Sequence, residues 1–251
     1  MPTCPSTTTK SPSTCVKLND YLTHYWPISN SNMSDIIGTA DMTQGTPLTT
    51  FVSDRFGNPS SALSLNGGYT QVPAGIYFNS PQFSISAWVY PLSVINYARV
   101  VDFGNGANSN NILLALGSPG PYPLFLIVNG ATQLTWCVSS QALVIGQWQF
   151  FAATFDGSYA RMYINGLLTC TVQLVYYPTN LLRSYNYFGK SNWNDGSSSS
   201  YLDDLRFFNV SLSQSDIVTL MNSQTLTGMF LRIFLILKTF NLFISCVNLL
   251  F

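Results

Sequence analysis

Few residues in this chain are able to carry catalysis. All ten acidic residues are aspartates and the single histidine is His24, so mechanisms that require glutamate are excluded. Retaining glycoside hydrolysis needs two carboxylates about 5 to 5.5 Å apart, and we expect the adjacent Asp203 and Asp204 to point to opposite faces of a strand. His24 has no nucleophile motif beside it, and we interpret it as a strand-edge residue rather than a general base. The sequence therefore predicts a protein that is not an enzyme.

A glycine-rich loop at 102–111 has the composition of a metal site. It contains Asp102, Asn105, Asn110 and Asn111, and calcium prefers carboxylate and amide oxygens. We predict these four residues as calcium ligands. The alternative is a solvated turn built from residues that favour loops.

A second polar loop has the composition of a saccharide site. Sugar recognition needs an aromatic platform beside planar hydrogen-bonding groups. The residues predicted to bind a ligand are Trp193, Asn192, Asn194, Asp195 and Tyr97. The alternative for Trp193 is that its side chain folds back and anchors the loop.

The cysteines indicate an oxidising compartment. Cys137 and Cys170 both lie on predicted strands, and we predict a disulfide between them. The alternative is a pair of small buried thiols. Cys4 and Cys15 either close a small loop or bridge to another region, which leaves Cys246 as the odd cysteine.

The composition excludes some partners and favours a secreted protein. Charged residues make up only 8% of the chain and the formal net charge is zero, so there is no basic field for a nucleic acid. The surface must then be rich in Ser, Thr, Asn and Gln, which is typical of extracellular β proteins. Sequons at Asn32 and Asn209 predict glycosylation. We expect an extracellular or cell-surface location.

The chain divides into three segments. Residues 1–19 are rich in Ser, Thr and Pro and are predicted to be a disordered linker. They lack the apolar core of a signal peptide, so an extracellular location assumes a fragment or an incomplete gene model. Residues 20–224 are predicted to be one domain. The apolar tail at 225–251 is interpreted in three ways: a membrane anchor at 229–251, a packed core helix, or an artefact of the gene model. We expect contact with a membrane only if the anchor is real.

The domain at 20–224 is predicted to be all-β. Eleven runs of strand-forming residues are separated by Gly, Pro and Asn, and residues 83–90 alternate with period two. Asp156-Gly157 and Asn165-Gly166 are hairpin turns. One short helix begins after Ser213, with Asp216 at the capping-box position. The predicted fold is a two-sheet antiparallel jelly-roll sandwich with one short C-terminal helix.

Three stretches in order carry a family resemblance. Residues 83–91 (FSISAWVYP), 146–166 (beginning GQWQFFAATFDG and ending RMYING) and 188–217 (beginning FGK and ending LSQSDI) resemble laminin G-like, concanavalin A-like jelly rolls. Within this resemblance, Trp88 and Trp148 are expected to support the two sheets. The chain is only distantly similar to pentraxins, because most carboxylates of their calcium loop are absent here.

The resemblance implies a non-catalytic extracellular recognition module. We expect it to bind a glycan or an extracellular protein through rim loops, with calcium as a cofactor if the 102–111 site is real. The alternative is a structural or adhesive domain of a larger extracellular protein with no small ligand. The two hypotheses differ in whether discrete oligosaccharides bind.

Overall fold

The computed structural model describes residues 18–174 and 180–223, in which the backbone forms two antiparallel sheets and one helix. The strands are β1 (Leu22–Trp26), β2 (Thr43–Gln44), β3 (Thr50–Val52), β4 (Ala62–Ser64), β5 (Thr70–Val72), β6 (Phe83–Pro91), β7 (Arg99–Gly104), β8 (Ile112–Ala115), β9 (Leu124–Asn129), β10 (Gln133–Val138), β11 (Gln149–Phe155), β12 (Tyr159–Ile164), β13 (Leu167–Gln173), β14 (Tyr185–Phe188) and β15 (Ser200–Phe208). The helix is α1 (Gln214–Met221), and a 3-10 turn at Leu18–Tyr21 precedes β1.

The eight-stranded sheet has the order β13-β12-β11-β6-β15-β4-β3, and β1 pairs with the other half of β15. The seven-stranded sheet has the order β10-β9-β8-β7-β14-β5-β2. The predicted jelly-roll sandwich is therefore confirmed. Most of the linker at 1–19 and the whole of the tail at 225–251, with the predictions made for them and for Cys4, Cys15 and Cys246, lie outside the described residues. Within the described residues, no helix has the length and hydropathy needed to cross a membrane.

The core between the sheets follows from period-two alternation. Phe83, Ile85, Ala87 and Val89 on β6 are buried in this core, as their spacing predicts. Trp88 faces the other way and belongs to a second apolar cluster on the outer face of the eight-stranded sheet. Each large apolar side chain that is fully buried contributes about 1.5 to 3 kcal/mol to the free energy of unfolding.

The predicted turns and helix cap are present. Asn165 and Gly166 have φ of 50° and 78°, the two positive values that a two-residue type I′ hairpin between β12 and β13 requires. Ser213 and Asp216 form the reciprocal capping box at the start of α1. Ile217 of α1 packs onto the outer face of the eight-stranded sheet.

All eleven predicted strands are observed, and four short strands, β1, β2, β3 and β14, were not predicted from the sequence. These have only two to five residues each. β4, β5 and β8 are as short, with three or four residues each, and were predicted, so length alone does not explain why these four were missed.

The expectation for Asp203 and Asp204 was wrong. The pairing of β15 with β6 shifts register between Asp203 and Arg206, and Asp204 has a positive φ of 59°. This bulge turns both carboxylates towards one guanidinium: Arg55 Nη1 lies 2.7 Å from Asp203 Oδ2, and Nη2 lies 2.8 Å from Asp204 Oδ2. Both aspartates are fully buried, and we interpret the cluster as a structural ion network.

His24 lies on β1 and is hydrogen-bonded to Asp35. Its Nδ1 is 2.6 Å from Asp35 Oδ2, and its ring stacks on Trp26 with centroids 5.5 Å apart. Asp35 also accepts hydrogen bonds from the backbone N–H groups of four residues: Tyr25, Ile37, Gly38 and Ala40. Burial acts to raise the pKa of Asp35, but the hydrogen bonds from His24 and the backbone outweigh it and hold the pKa below its usual value.

Replacing Asp35→Asn tests how much the Asp35 carboxylate contributes to the free energy of unfolding. An amide cannot accept the same set of donors, so we expect the free energy of unfolding to fall by about 2 kcal/mol and the melting midpoint by about 4 to 8 °C. Because the folded-state pKa is the lower one, the stabilisation is present above about pH 4 and is lost as the pH falls through that pKa. The difference between the two proteins should therefore shrink in acid. Asp41→Asn is the control, since Asp41 is exposed and accepts one hydrogen bond, from the backbone N–H of Asp35, which an amide oxygen can also accept. Equal midpoints for all three proteins at pH 7 would contradict the assignment.

A disulfide joins the edges of the two sheets. Cys137 on β10 and Cys170 on β13 are linked with Cα atoms 5.7 Å apart, which is the pairing predicted from the sequence. β10 and β13 are the edge strands of the seven- and eight-stranded sheets on the same side of the sandwich.

Replacing both Cys137 and Cys170 with alanine should lower the free energy of unfolding by about 3 kcal/mol, since the bond closes a chain segment with a sequence separation of 33 residues. Chemical denaturation of the wild-type and double-alanine proteins measures this difference. As a control, the wild-type and double-alanine proteins should unfold at the same denaturant concentration when a reductant is present. A variant as stable as the oxidised wild type would show that the bond does not constrain the fold.

Candidate functional site

An open cavity of about 280 Å³ lies on the outer face of the seven-stranded sheet. It combines apolar and aromatic side chains with a few polar groups, which is typical of a binding site for a small ligand. Its lining residues are Tyr97, Arg99, Asn108, Leu124, Leu126, Leu134, Trp136, Trp193 and Asp195.

Strand register places the floor and one wall of this cavity. Trp136 on β10 pairs with Leu126 on β9, Leu126 pairs with Leu113 on β8, and Leu113 pairs with Asp102 on β7. Directly paired residues point to the same face of a sheet, so this row runs across the outer face. Leu126 is buried beneath the cavity, whereas Trp136 is 43% exposed and forms a wall.

The buried guanidinium of Arg99 holds the opposite side together. Arg99 is only 3% exposed. Its Nε donates to Asp102 Oδ2 at 3.2 Å, its Nη2 donates to Asp195 Oδ2 at 2.7 Å, and its Nη1 donates to the carbonyl oxygen of Tyr97. The Trp193 ring lies over the same group, with its centroid 5.2 Å from Arg99 Cζ. This cation therefore joins the segment at 97–102 to the loop at 191–195.

The loop at 191–195 is fastened to Asp102. Asn192 donates its backbone N–H to Asp102 Oδ2 and its side-chain Nδ2 to Oδ1, both at 2.9 Å. Ser191 Oγ donates to Asp195 Oδ2 at 2.9 Å and accepts from the backbone N–H of Trp193 at 3.0 Å. Trp193 is thereby held half-buried at the edge of the cavity, with the Arg99 guanidinium over its ring.

A family model described as the concanavalin A-like lectin/glucanases superfamily, of the laminin G type, matches residues 65–218, more than half of the chain. The chain belongs to this superfamily. The matched residues include the whole of the seven-stranded sheet except β2, and with it the strands that form the cavity. No curated protein matches the sequence of this concanavalin A-like chain.

Solved structures share the concanavalin A-like fold at low sequence identity. Domain 4 of AbnA, an extracellular arabinanase of Geobacillus stearothermophilus solved with arabinotriose, matches with a TM-score of 0.63 and 21% identity over 80% of this chain and 98% of its own. The receptor binding domain of botulinum neurotoxin mosaic serotype C/D matches with a TM-score of 0.66 and 16% identity over 83% of this chain and 52% of its own. The binding domain of botulinum neurotoxin DC in complex with SialylT matches with a TM-score of 0.63 and 16% identity, over 82% and 51%. The chain thus spans about half the length of the toxin domains.

The concanavalin A-like framework brings together three of the five residues predicted to bind a ligand. Tyr97, Trp193 and Asp195 line the cavity, and Tyr97 adopts a positive φ of 59°. Asn192 supports the loop from below through Asp102, and the exposed Asn194 lies outside the lining.

Sequence reasoning missed Arg99, Trp136, Asn108 and the leucine floor. A signal for the floor was present, because β9 is apolar at consecutive positions 124–128 rather than alternating. Consecutive apolar residues on a strand indicate that both faces are covered. Trp136 alternates with Cys137, so the predicted disulfide already implied that this indole points outward.

The residues predicted to bind calcium use their oxygens elsewhere. Both carboxylate oxygens of Asp102 accept hydrogen bonds, from Arg99, Asn192 and the Nδ2 of Asn111. The side-chain oxygens of Asn105 and Asn110 accept from the backbone N–H groups of Ser184 and Gly130.

These side-chain oxygens therefore do not fit a calcium ion, which requires six to eight oxygen ligands. Within the described part of the chain, no group of three or more His, Cys, Asp or Glu side chains is placed to hold a metal. Burial raises the pKa of Asp102, and the Arg99 cation and the hydrogen bonds from Asn192 and Asn111 offset part of that rise. Calcium dependence stays a prediction.

Replacing Arg99→Met tests how much the buried guanidinium contributes to the free energy of unfolding. It leaves the Asp102 carboxylate buried without its cation, so we expect a loss of about 3 to 5 kcal/mol in the free energy of unfolding. Adding Asp102→Asn to the same protein should recover part of the loss, because the uncompensated charge is then removed. Urea unfolding of the four proteins of this cycle measures both effects. A loss below about 1 kcal/mol for Arg99→Met would contradict the assigned role.

Proposed function

We propose that this domain binds a glycan on the outer face of its seven-stranded sheet and does not turn it over. The observation that carries the proposal is the cavity in which two indoles and one phenol surround a carboxylate. Tyr97 and Trp136 meet edge to face with centroids 6.2 Å apart, and Trp193 stands opposite on the 191–195 loop.

The groups in this cavity match the chemistry of a sugar ring. The apolar C–H face of a pyranose or furanose packs against an aromatic ring face, and its hydroxyl groups need planar acceptors and donors at the rim. Asp195 Oδ2 is occupied by Arg99 and Ser191, whereas Oδ1 accepts no hydrogen bond from the described residues. Oδ1 and the exposed amide of Asn108 are therefore available to ligand hydroxyls.

The same cavity lacks the groups of a glycosidase. Asp195 is the one carboxylate among its lining residues, and Asp102 beneath it is fully buried with both oxygens hydrogen-bonded. Retaining and inverting hydrolysis both require a second carboxylate that reaches the substrate or its water. The paired Asp203 and Asp204 belong to the other sheet and are occupied by Arg55.

Three further features support a recognition role outside the cell. The Cys137–Cys170 disulfide persists in oxidising compartments. Both sequon residues, Asn32 and Asn209, are exposed, and neither lines the cavity. Two solved domains of the same fold were crystallised with arabinotriose and with SialylT.

Isothermal titration with arabinotriose and with a panel of neutral and acidic oligosaccharides tests the proposal. Trp136→Ala should weaken any hit by about tenfold, since an aromatic contact with a ligand ring is worth about 1 to 2 kcal/mol. Trp148→Ala is the matched control, because it removes an indole that packs on Tyr90 in the other sheet. It should leave affinity unchanged.

The panel also separates the remaining alternatives. If no oligosaccharide binds, the cavity is not a glycan site, and the exposed strip of Leu134, Trp136 and Val138 on β10 would favour a protein partner or an adhesive role. Repeating the titration in EDTA tests calcium: the hydrogen bonds around Asp102 lead us to expect equal affinity. Loss of binding in EDTA would show a metal that these contacts do not accommodate.

A further inference from the structure

A second aromatic cluster lies on the same sheet face as the cavity, on the far side of the 191–195 loop. Tyr187 on β14 pairs with Asp102 on β7, so it extends the row of outward-facing residues that begins at Trp136. From β10 to β14 there are four strand spacings, or about 19 Å. Tyr69 meets the Tyr187 ring edge to face, with centroids 5.6 Å apart.

Lys190 is held between these two rings. Its Nζ lies 4.5 Å from the centroid of Tyr69 and 4.6 Å from that of Tyr187. Gly189 makes this placement possible, because its φ of +89° suits glycine, and an added Cβ would lie 3.1 Å from the carbonyl oxygen of Gly68. The sequence Phe188-Gly189-Lys190 thus ends β14 and returns the lysine over the tyrosines.

Lys190 differs from the arginines of the ion pairs in what it contacts. Arg55, Arg99, Arg161 and Arg206 each lie within 3.2 Å of an aspartate oxygen. The Lys190 ammonium has no such carboxylate among the described residues and makes no hydrogen bond with them. Ring faces attract a cation without accepting all of its N–H groups. The ammonium therefore keeps donors for an acceptor that arrives from solvent.

The tyrosines beside Lys190 add a further hydrogen-bond donor for an anion. Burial, followed by the neighbouring Tyr69, Tyr185 and Asp102, raises the pKa of Tyr187. Its phenol stays protonated at neutral pH and remains a hydrogen-bond donor beside the ammonium. Tyr185, which is half exposed, adds an open ring at the rim of the cluster.

We infer that Lys190, Tyr69 and Tyr187 form a subsite for an anionic group, a carboxylate or a sulfate, carried by a glycan whose neutral part occupies the cavity. This inference rests on the proposed function. It narrows the ligand class to acidic oligosaccharides long enough to reach from the cavity across the 191–195 loop to Lys190. A charge-assisted hydrogen bond to an ammonium is the contact that distinguishes such a ligand from a neutral one.

Matched pairs of oligosaccharides test the subsite. Each pair consists of a neutral oligosaccharide and the same backbone with either a uronate or a sulfate ester, and affinities are measured by titration at low and high salt. The wild-type protein should bind the acidic member about tenfold more tightly at low salt, with the preference falling as salt rises. The arm that shows the preference identifies the anionic group as carboxylate or sulfate.

Lys190→Gln should remove the preference for the acidic member, and Lys190→Arg should keep part of it. Arg161→Gln is the control, since it removes a cation that also lies over a tyrosine ring, Tyr159, but on β12 of the other sheet. It should keep the full preference. Melting curves of the three variants show that each is folded.

The outcomes separate this inference from the proposed function. Equal affinity of the wild type for both members of every pair, or an equal preference in Lys190→Gln, overturns the subsite and leaves glycan binding standing. Binding of neither member overturns both proposals. An equal loss of preference in Lys190→Gln and Arg161→Gln shows a general effect of net charge and also overturns the subsite.

Discussion

The arrangement of the cavity depends on one buried cation. Arg99 contacts the carboxylate beside it on β7, the backbone at Tyr97 and the carboxylate of Asp195 in a distant loop. A guanidinium is planar and offers its donors in a fixed fork, so these acceptors must take up defined positions around it. Tyr97 and Trp193 lie on those same segments, and Tyr97 contacts the third aromatic residue of the cavity, Trp136. For the glycan that we propose as the ligand, this fixed arrangement lowers the entropic cost of binding.

The chain has few charged residues, and most of its ion pairs are concentrated in two places. With few charged residues in the chain, most of the described arginines lie in two buried networks, one on the outer face of each sheet. Such networks add little net stability, because desolvation offsets the attraction, but they penalise arrangements that leave a charge unpaired. Arg55 fixes the bulge at Asp203 and Asp204, whereas Arg99 fixes the 191–195 loop. The exposed surface is left to hydroxyl and amide groups.

The sequence predicted the framework better than the site. Strands such as β6 are long enough for alternation to show, and the hairpin at Asn165-Gly166 needs only local backbone preferences. The loop carrying Trp193 was also found, since its aromatic and polar residues are adjacent in sequence. Arg99 and Trp136 were missed because their role arises only when β7, β10 and the 191–195 loop meet. The bulge at Asp204 was missed because a single residue with positive φ breaks the period-two rule that the prediction assumed.

The alternation of Trp136 and Cys137 on the edge strand β10 has a consequence for how the chain matures. A slip of β10 by one residue would turn the indole into the core and carry the thiol to the surface, away from Cys170. Oxidation can therefore join the two cysteines only when β10 has the pairing that also presents Trp136 outward. Formation of the disulfide therefore selects the register of β10 in which Trp136 faces outward. A molecule in which Cys137 and Cys170 remain reduced lacks this covalent constraint on β10.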